Sequence, residues 1–352
     1  MSKQEQSDSR DDKPPTLSQH HKETKWYDAW IRWEKGSKEN YDDDDEDEEE
    51  DEEPPLIPTD TYHSSYQVPS QNDDATPIIN LELMGFPSES EAIWTSTGLT
   101  LWQSSEFLCD YLVEHYGEIG RLRHGDDDDN DTDKPCRILE VGSGLGRSGI
   151  LMHLLANASS YQEQEQQEQK NDDSRVFRQQ VVLTDGDTDV LAQLRSNVQH
   201  NLELNAKLVQ NNNASDLSCH QLIWGKDHAK AFVNRPCFHH SMNHHNNTND
   251  PNASYHFDVI IGSDLIYVTQ VIQPLFETVQ TLLHPKHGIF LMAHCARREG
   301  NEVDLDVVFD QARKVGLQYT QLHPEDDDKT TNCENDQEEG IYLYQFEWSR
   351  RE

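Results

Sequence analysis

The sequence predicts an α/β fold: a doubly wound, mainly parallel sheet of seven strands that ends in a C-terminal antiparallel hairpin. Three observations predict it. Short apolar runs alternate with stretches whose apolar residues recur at helical spacing, the pattern of a parallel sheet covered by helices. The first of these runs, RILEV at 137–141, passes directly into a glycine-rich turn, GSGLG. The last two runs are joined by a polar loop with no helical pattern, which suits an antiparallel pair rather than a crossover.

Each element has its own signal. Phe107, Leu108, Tyr111 and Leu112 mark a helix before the first strand. The strands are read at 137–141 (RILEV), 180–184 (QVVLT), 220–224 (HQLIW), 257–262 (FDVIIG), 288–293 (GIFLMA), 317–322 (LQYTQL) and 341–347 (IYLYQFE). Between them, Ile150, Leu151, Leu154 and Leu155 lie on one helical face, and Val190, Leu191, Leu194 and Val198 on the next. Val271, Ile272, Leu275, Val279 and Leu282 form a third, and Val307, Val308, Ala312 and Val315 a fourth, with Gly316 placed to end it.

Not all of the chain can pack. Of 352 residues only 34% are hydrophobic, and low-complexity sequence fills 1–75, 126–129, 161–170, the NNNAS run at 211, 238–254 and 324–339. What remains is roughly 200 residues, about one globular domain. The expected organisation is a disordered acidic N-terminal tail over 1–75 and one domain over 76–352, its low-complexity inserts falling in loops.

The formal net charge is -38, of which the twelve consecutive acids Asp42 to Glu53 supply only a part. Such a field repels phosphate backbones and draws basic partners, so the expected partner is a basic protein and not nucleic acid; solubilising disorder is the alternative. No apolar run approaches the roughly 20 residues that span a bilayer, and MSKQEQSDSR lacks the apolar centre of a signal peptide. These point away from a membrane and to a cytoplasmic protein, with the nucleus as a second compartment. The six cysteines form no C-x-x-C pair and read as reduced thiols. His239, His240, His244 and His245 sit in biased sequence and read as an incidental loop, so no metal is expected.

The glycines can be counted in two registers. GLGRSG from Gly144 fits the G-x-G-x-x-G of dinucleotide folds; from Glu140 the stretch reads E-x-G-x-G-x-G. The first glycine of a dinucleotide turn directly follows the strand. That residue is Gly142, and counted from it the third glycine would fall at 147, which is arginine. The other register leaves Gly142, Ser143 and Gly144 in the turn and Glu140 at the strand end. A carboxylate there suits a cationic sulfonium with an amino-acid tail better than a diphosphate; a helix-dipole acid is the alternative. Asp185 ends the second strand, where nucleotide folds bind ribose hydroxyls, or else it caps a helix. Ser263, Asp264 and Tyr267 follow the fourth strand, and a doubly wound order places that strand beside the first, with Asp264 toward the cofactor cleft.

Together TGLTLW, ILEVGSGLG, LTDGDTDVLAQLRSNVQHN and SDLIY, supported by LIWG, resemble the seven-strand, class I S-adenosylmethionine-dependent methyltransferases, and within them methyltransferase family 16, over about Ile93 to Trp348. The resemblance implies a Rossmann-like methyltransferase sheet, S-adenosyl-L-methionine as cofactor, and transfer to a lysine of a protein substrate. It implies that Trp102, the Gly142 to Gly144 turn, Asp185, Trp224 and Ser263 contact the cofactor, and that Asp264 and Tyr267, as a D-x-x-Y motif, border the lysine channel. Asp264 would then position the amine and stabilise the developing ammonium, and Tyr267 would shape the channel. Arg147 and Ser148 depart from the small or apolar residues of many relatives, and Ser263 stands where alanine is common.

Alternatives stay open. Trp102 and Trp224 also read as core aromatics. Arginine or histidine of a protein is a rival target, whereas a nucleobase is not favoured because Leu265 and Ile266 follow Asp264 in place of a D/N-P-P motif. A non-catalytic binding module is the other class, with Trp26, Trp30 and Trp33 on one helical face to dock a partner or fold back.

Overall fold

A computed structural model describes residues 58–69, 76–87, 96–121, 135–170, 178–209, 215–238, 255–295, 303–323 and 340–349. Trp26, Trp30, Trp33, the acidic run and the four histidines of the 239–245 tract lie outside the described residues. The chain divides into Met1–Pro55 and Leu56–Glu352, and every described residue belongs to the second unit.

The main sheet is built from β3 (Cys136–Val141), β4 (Gln179–Asp185), β5 (Ser215–Gln221), β6 (Val259–Ser263), β7 (Ile289–Cys295), β8 (Leu317–His323) and β9 (Ile341–Trp348). Their order is β5-β4-β3-β6-β7-β9-β8. The first five pair in parallel; β9 runs antiparallel between β7 and β8. The expected antiparallel C-terminal pair is present, and its second strand is the one inserted into the sheet.

Helices α1 (Gln103–Glu114), α3 (Arg147–Lys170) and α4 (Thr188–Leu204) cover one face. Leu108, Leu112, Leu151, Leu154, Leu155, Leu191 and Leu194 join Ile138, Val181, Val259 and Leu291 in one apolar cluster there. On the opposite face Phe276 of α7 (Ile272–Leu282) meets Phe290 and Phe346 edge-on, with ring centroids 6.4 and 5.2 Å away. Shorter helices α2 (Tyr116–Arg121), α5 (Ala206–Val209), α6 (Lys226–Val233) and α8 (Leu305–Lys314) are also present. Gly316 follows α8 at φ +88°, the left-handed stop its sequence position suggests.

Three expectations are corrected. The domain does not begin at 76: β1 (Asp60–Gln67) pairs antiparallel with β2 (Ile78–Gly85), so part of the presumed tail belongs to the fold. Its partner buries Ile79, Leu81 and Leu83, a period-2 signal that a polar first strand obscures. The third sheet strand is Ser215–Gln221 rather than 220–224. As an edge strand it needs little apolar sequence, and the LIW that imitates a strand lies in the turn beyond it. The low-complexity stretch 161–170, expected to fall in a loop, instead continues α3 to Lys170, because Gln and Glu are good helix formers. The insert at 239–254, in contrast, leaves from buried Phe238 and returns at buried Tyr255, whose rings lie 4.9 Å apart. Its ends therefore already meet in the fold, which is how an insertion there is tolerated.

Candidate active site

The parallel strands direct their C-terminal ends to one edge, and the order reverses between β3 and β6, where open α/β sheets bind ligands. The turn after β3 occupies that crevice. Gly142, Gly144 and Gly146 have φ of +61°, +51° and +89°, backbone that L side chains rarely adopt. The turn is also crowded. A Cβ on Gly142 would lie 2.9 Å from Leu265 Cδ2 and 3.2 Å from the Trp224 ring, and one on Gly144 would lie 3.1 Å from the Gly98 carbonyl. Gly98 belongs to TGLTLW, so three of the predicted segments converge on the turn. Trp224 is half-buried against Gly142.

Asp185 reaches the same turn: its Oδ2 accepts from Gly144 N at 3.1 Å and its Oδ1 from Asp187 N at 3.1 Å. The cap of α4 is Asp187, which accepts from Asp189 N and Val190 N, so Asp185 is not the helix cap. Burial pushes its carboxyl up to about 6 against the backbone donors that lower it.

Glu140 is placed differently from the simplest expectation. It is buried, and its Oε2 accepts from Gly149 N at 3.1 Å in the first turn of α3. It serves as the helix-dipole acid under the turn. Burial raises its carboxyl to about 7, with the Asp185 charge adding to the rise. Ser143 also faces inward: its Oγ accepts from Thr184 N at 3.0 Å, and its own N–H donates to Thr184 O at 2.8 Å. These bonds stitch the ends of β3 and β4 together. Gly146 and Gly149 are packing glycines, a Cβ on them meeting Leu194 at 2.4 Å and Glu140 at 2.7 Å.

Across the switch point Ser263 ends β6, half-buried, and Asp264 follows at φ +51°, the sole non-glycine at positive φ among the described residues. Asp264 is 2% exposed. Its N–H donates to Ala293 O at 3.0 Å, its Oδ1 accepts from Cys295 N at 3.3 Å, and its Oδ2 accepts from the Ser104 hydroxyl. Non-glycine residues held in this region cluster at functional sites. Leu265 and Ile266 are buried beside it, and Tyr267 is half-buried. Trp102 precedes α1, its indole N–H closing the TGLTLW loop onto Thr97 O at 2.9 Å.

Two groups of residues escaped the sequence reading. Ser104 shares the buried spacing of Leu108 and Leu112, and a polar residue on that face needs a partner. Asn197 and Asn201 of α4 and Asn205, which caps its C-terminal end, recur every fourth residue and bond the backbone of β2. Arg147, the departure in the glycine stretch, is clamped to the hairpin: it donates to Tyr66 Oη at 3.1 Å and Ser64 Oγ at 2.6 Å, with Glu106 at 3.5 Å.

The crevice fits S-adenosylmethionine in its donor set: a glycine turn with no room for side chains, an aromatic ring against it, and an acid at the end of β4. Among the described residues no cluster of three or more His, Cys, Asp or Glu could hold a metal, and no helix is long and apolar enough to cross a membrane.

Comparison with known proteins bears on the same segments. A family model described as lysine methyltransferase matches residues 88–240 and 238–308, more than half of the chain. EEF1A lysine methyltransferase 3 of Xenopus tropicalis is 23% identical over 200 residues, covering 57% of this chain and 59% of that protein. The chain therefore spans less than two thirds of that relative's length. A TehB-like SAM-dependent methyltransferase from Corynebacterium glutamicum aligns at TM-score 0.33 and 13% identity, over 70% of this chain and 98% of that one. A SAM-dependent methyltransferase from Agrobacterium tumefaciens aligns at TM-score 0.36 and 10% identity, over 77% and 68%. On the extent of the family match, the chain belongs to the lysine methyltransferase family, whose cofactor is S-adenosylmethionine.

Proposed function

We propose that this chain transfers a methyl group from S-adenosylmethionine to a lysine ε-amine of a basic protein segment. The observation that carries the reading is Asp264: a buried acid in strained backbone, directly across the switch point from the glycine turn. When bound, S-adenosylmethionine supplies an electrophilic methyl group on a sulfonium. Gly142 and Gly144 would allow the backbone to approach it, Trp224 and Trp102 would contact it, and Asp185 would bind the ribose hydroxyls. Ser263, which ends β6 directly before Asp264, would complete the cofactor contacts.

Transfer needs an uncharged amine held in line, so the protein's task is placement. Asp264 is held by the Ser104 hydroxyl and the Cys295 N–H. In this reading it would position the amine and stabilise the positive charge that develops on nitrogen, while Tyr267 would shape the approach. The surplus proton passes to water or a neighbouring carboxylate. The net charge of -38 favours a basic substrate segment.

The test is incubation with labelled S-adenosylmethionine and either elongation factor 1A, suggested by the named relative, or an extract of cells lacking the protein. Mass spectrometry then maps the modified residue. Methyl-lysine is expected; methyl-arginine or methyl-histidine would replace the target assignment, and no transfer would refute catalysis.

A further inference from the structure

The glycine turn is anchored differently on its two flanks. Toward β4, Ser143 is bonded to Thr184 and Gly144 to Asp185. Toward the helix, Gly146 stands at φ +89° with no side chain to hold it, and the first side chain after the turn is that of Arg147. Local physics does not favour an arginine there. It opens α3, where a cation opposes the helix dipole, and the residue is only 5% exposed. All three guanidinium nitrogens reach residues outside the turn: Nε donates to Tyr66 Oη at 3.1 Å, Nη2 to Ser64 Oγ at 2.6 Å and Nη1 to Glu106 Oε2 at 3.5 Å. Tyr66 and Ser64 lie on β1, 81 and 83 positions earlier in the chain.

The same hairpin carries the loop that faces the turn. Phe86, directly after β2, donates its N–H to Leu99 O at 2.8 Å and accepts from the Thr100 hydroxyl at 2.7 Å. Gly98 of that loop packs on Gly144. Leu145 of the turn lies against Gly85 of β2, where a Cβ would come within 2.6 Å of it. Because β1 and β2 pair along their whole length, the bonds at Ser64 and Tyr66 and those at Phe86 are borne by one unit. Arg147 thus ties the helix end of the turn to the piece that also holds its opposite wall.

We infer that Arg147 is a positioning residue for S-adenosylmethionine, its guanidinium fixing the glycine turn to the hairpin that carries the TGLTLW loop. The assignment rests on the reading of that turn as the cofactor site. Its effect falls on cofactor affinity rather than on the transfer step, because the geometry it sets is that of the turn. A buried charge adds little net stability over an apolar side chain of similar size, so methionine at 147 should keep the fold and release the turn. The Tyr66 hydroxyl would keep the Cys109 thiol as a partner, and Glu106, 63% exposed, would keep water.

The experiment compares full-length wild type, R147M, R147K, the double variant S64A/Y66F and G142A. Calorimetry gives their affinity for S-adenosylmethionine at a temperature where each is folded, and melting temperatures are taken alongside. Donor KM and the rate at saturating donor come from transfer of tritiated methyl groups into an extract of cells lacking the protein. R147M should weaken affinity and raise donor KM about 10-fold, the worth of one hydrogen bond to a charged group, with the saturating rate within about twofold. S64A/Y66F leaves Arg147 in place without its hairpin acceptors and should weaken affinity at least about threefold. R147K keeps the charge but not the fork that reaches two acceptors at once, and should fall between R147M and wild type. Wild-type affinity in a folded R147M overturns the inference, as does wild-type affinity in S64A/Y66F beside a weakened R147M. Affinity losses that simply follow the melting temperatures across the set make Arg147 a structural residue and overturn it too. Should R147M fail to fold, the double variant decides alone. If G142A binds as tightly as wild type, the reading of the turn fails first; if G142A alone is weakened, that reading stands and the role of Arg147 falls.

Discussion

Gly142 shows how much of this site rests on what a single residue lacks. Its backbone is left-handed, and the space where a Cβ would stand is taken by Leu265 and the Trp224 ring. Alanine there meets backbone strain of about 1 to 2 kcal/mol and must also displace the ring. G142A should weaken S-adenosylmethionine binding at least about tenfold by calorimetry with a small loss of melting temperature. Unchanged affinity would remove the turn from the cofactor site. Glu140 makes a different prediction, about pH. Its carboxyl, pushed by burial to about 7, lies above the ordinary 4.5 of a glutamate, so the folded chain holds the proton more tightly than the unfolded one. Its contribution to stability is full below about pH 4.5, falls as pH rises through 7, and is lost above that. E140Q keeps an acceptor for Gly149 N but no longer titrates. Urea unfolding at pH 5 and pH 7.5 should show a smaller difference for E140Q than for wild type.

At the scale of elements, α4 lines strand β2 of the hairpin with a ladder of asparagines. Asn197 and Asn201 of α4 and its C-cap Asn205 accept from Met84 N, Glu82 N and Asn80 N at 2.9, 3.0 and 3.3 Å. They return bonds to the carbonyls of the same residues at 3.1, 2.8 and 2.8 Å. The match is geometric: four helical residues rise about 6 Å and two strand residues about 6.7 Å, so each asparagine meets alternate residues of β2. The ladder satisfies an edge that would otherwise present bare backbone. Asn197 also donates to Leu145 O at 3.1 Å, which ties the hairpin to the glycine turn. N201A leaves a buried N–H and carbonyl unpaired and should cost about 2 to 3 kcal/mol in denaturant unfolding. A cost below about 0.5 kcal/mol would mean that the ladder follows from packing and does not hold it.

For the whole molecule, the fold unit begins at Leu56, and Tyr66 and Val68 sit in its core. Deleting 1–55 should leave the melting temperature of the domain within about 2 °C. Deleting 1–75 removes β1, uncovers one side of β2 and should lower it by on the order of 10 °C. Equal melting of the two truncations would place β1 outside the cooperative unit. The same boundary shows what the sequence could not reveal: DTYHSSYQ is polar and half-exposed, so its strand character comes from its partner rather than from its own composition.

The sequence by itself determined the alternation of strands and helices, the glycine register and the acids at the strand ends. Those depend on local spacing and on backbone that only glycine accepts, and both are written in consecutive residues. RILEV ending at Val141 was enough to separate Gly142 from the coincidental GLGRSG. Tertiary structure alone decided the insertion of β9 between β7 and β8, the turning of Glu140 onto Gly149, and the reach of Ser104 to Asp264. Each of these depends on which distant group arrives to satisfy a buried polar atom or an open strand edge. Ser104 and Asp264 stand 160 positions apart, and their meeting is a property of the packed chain.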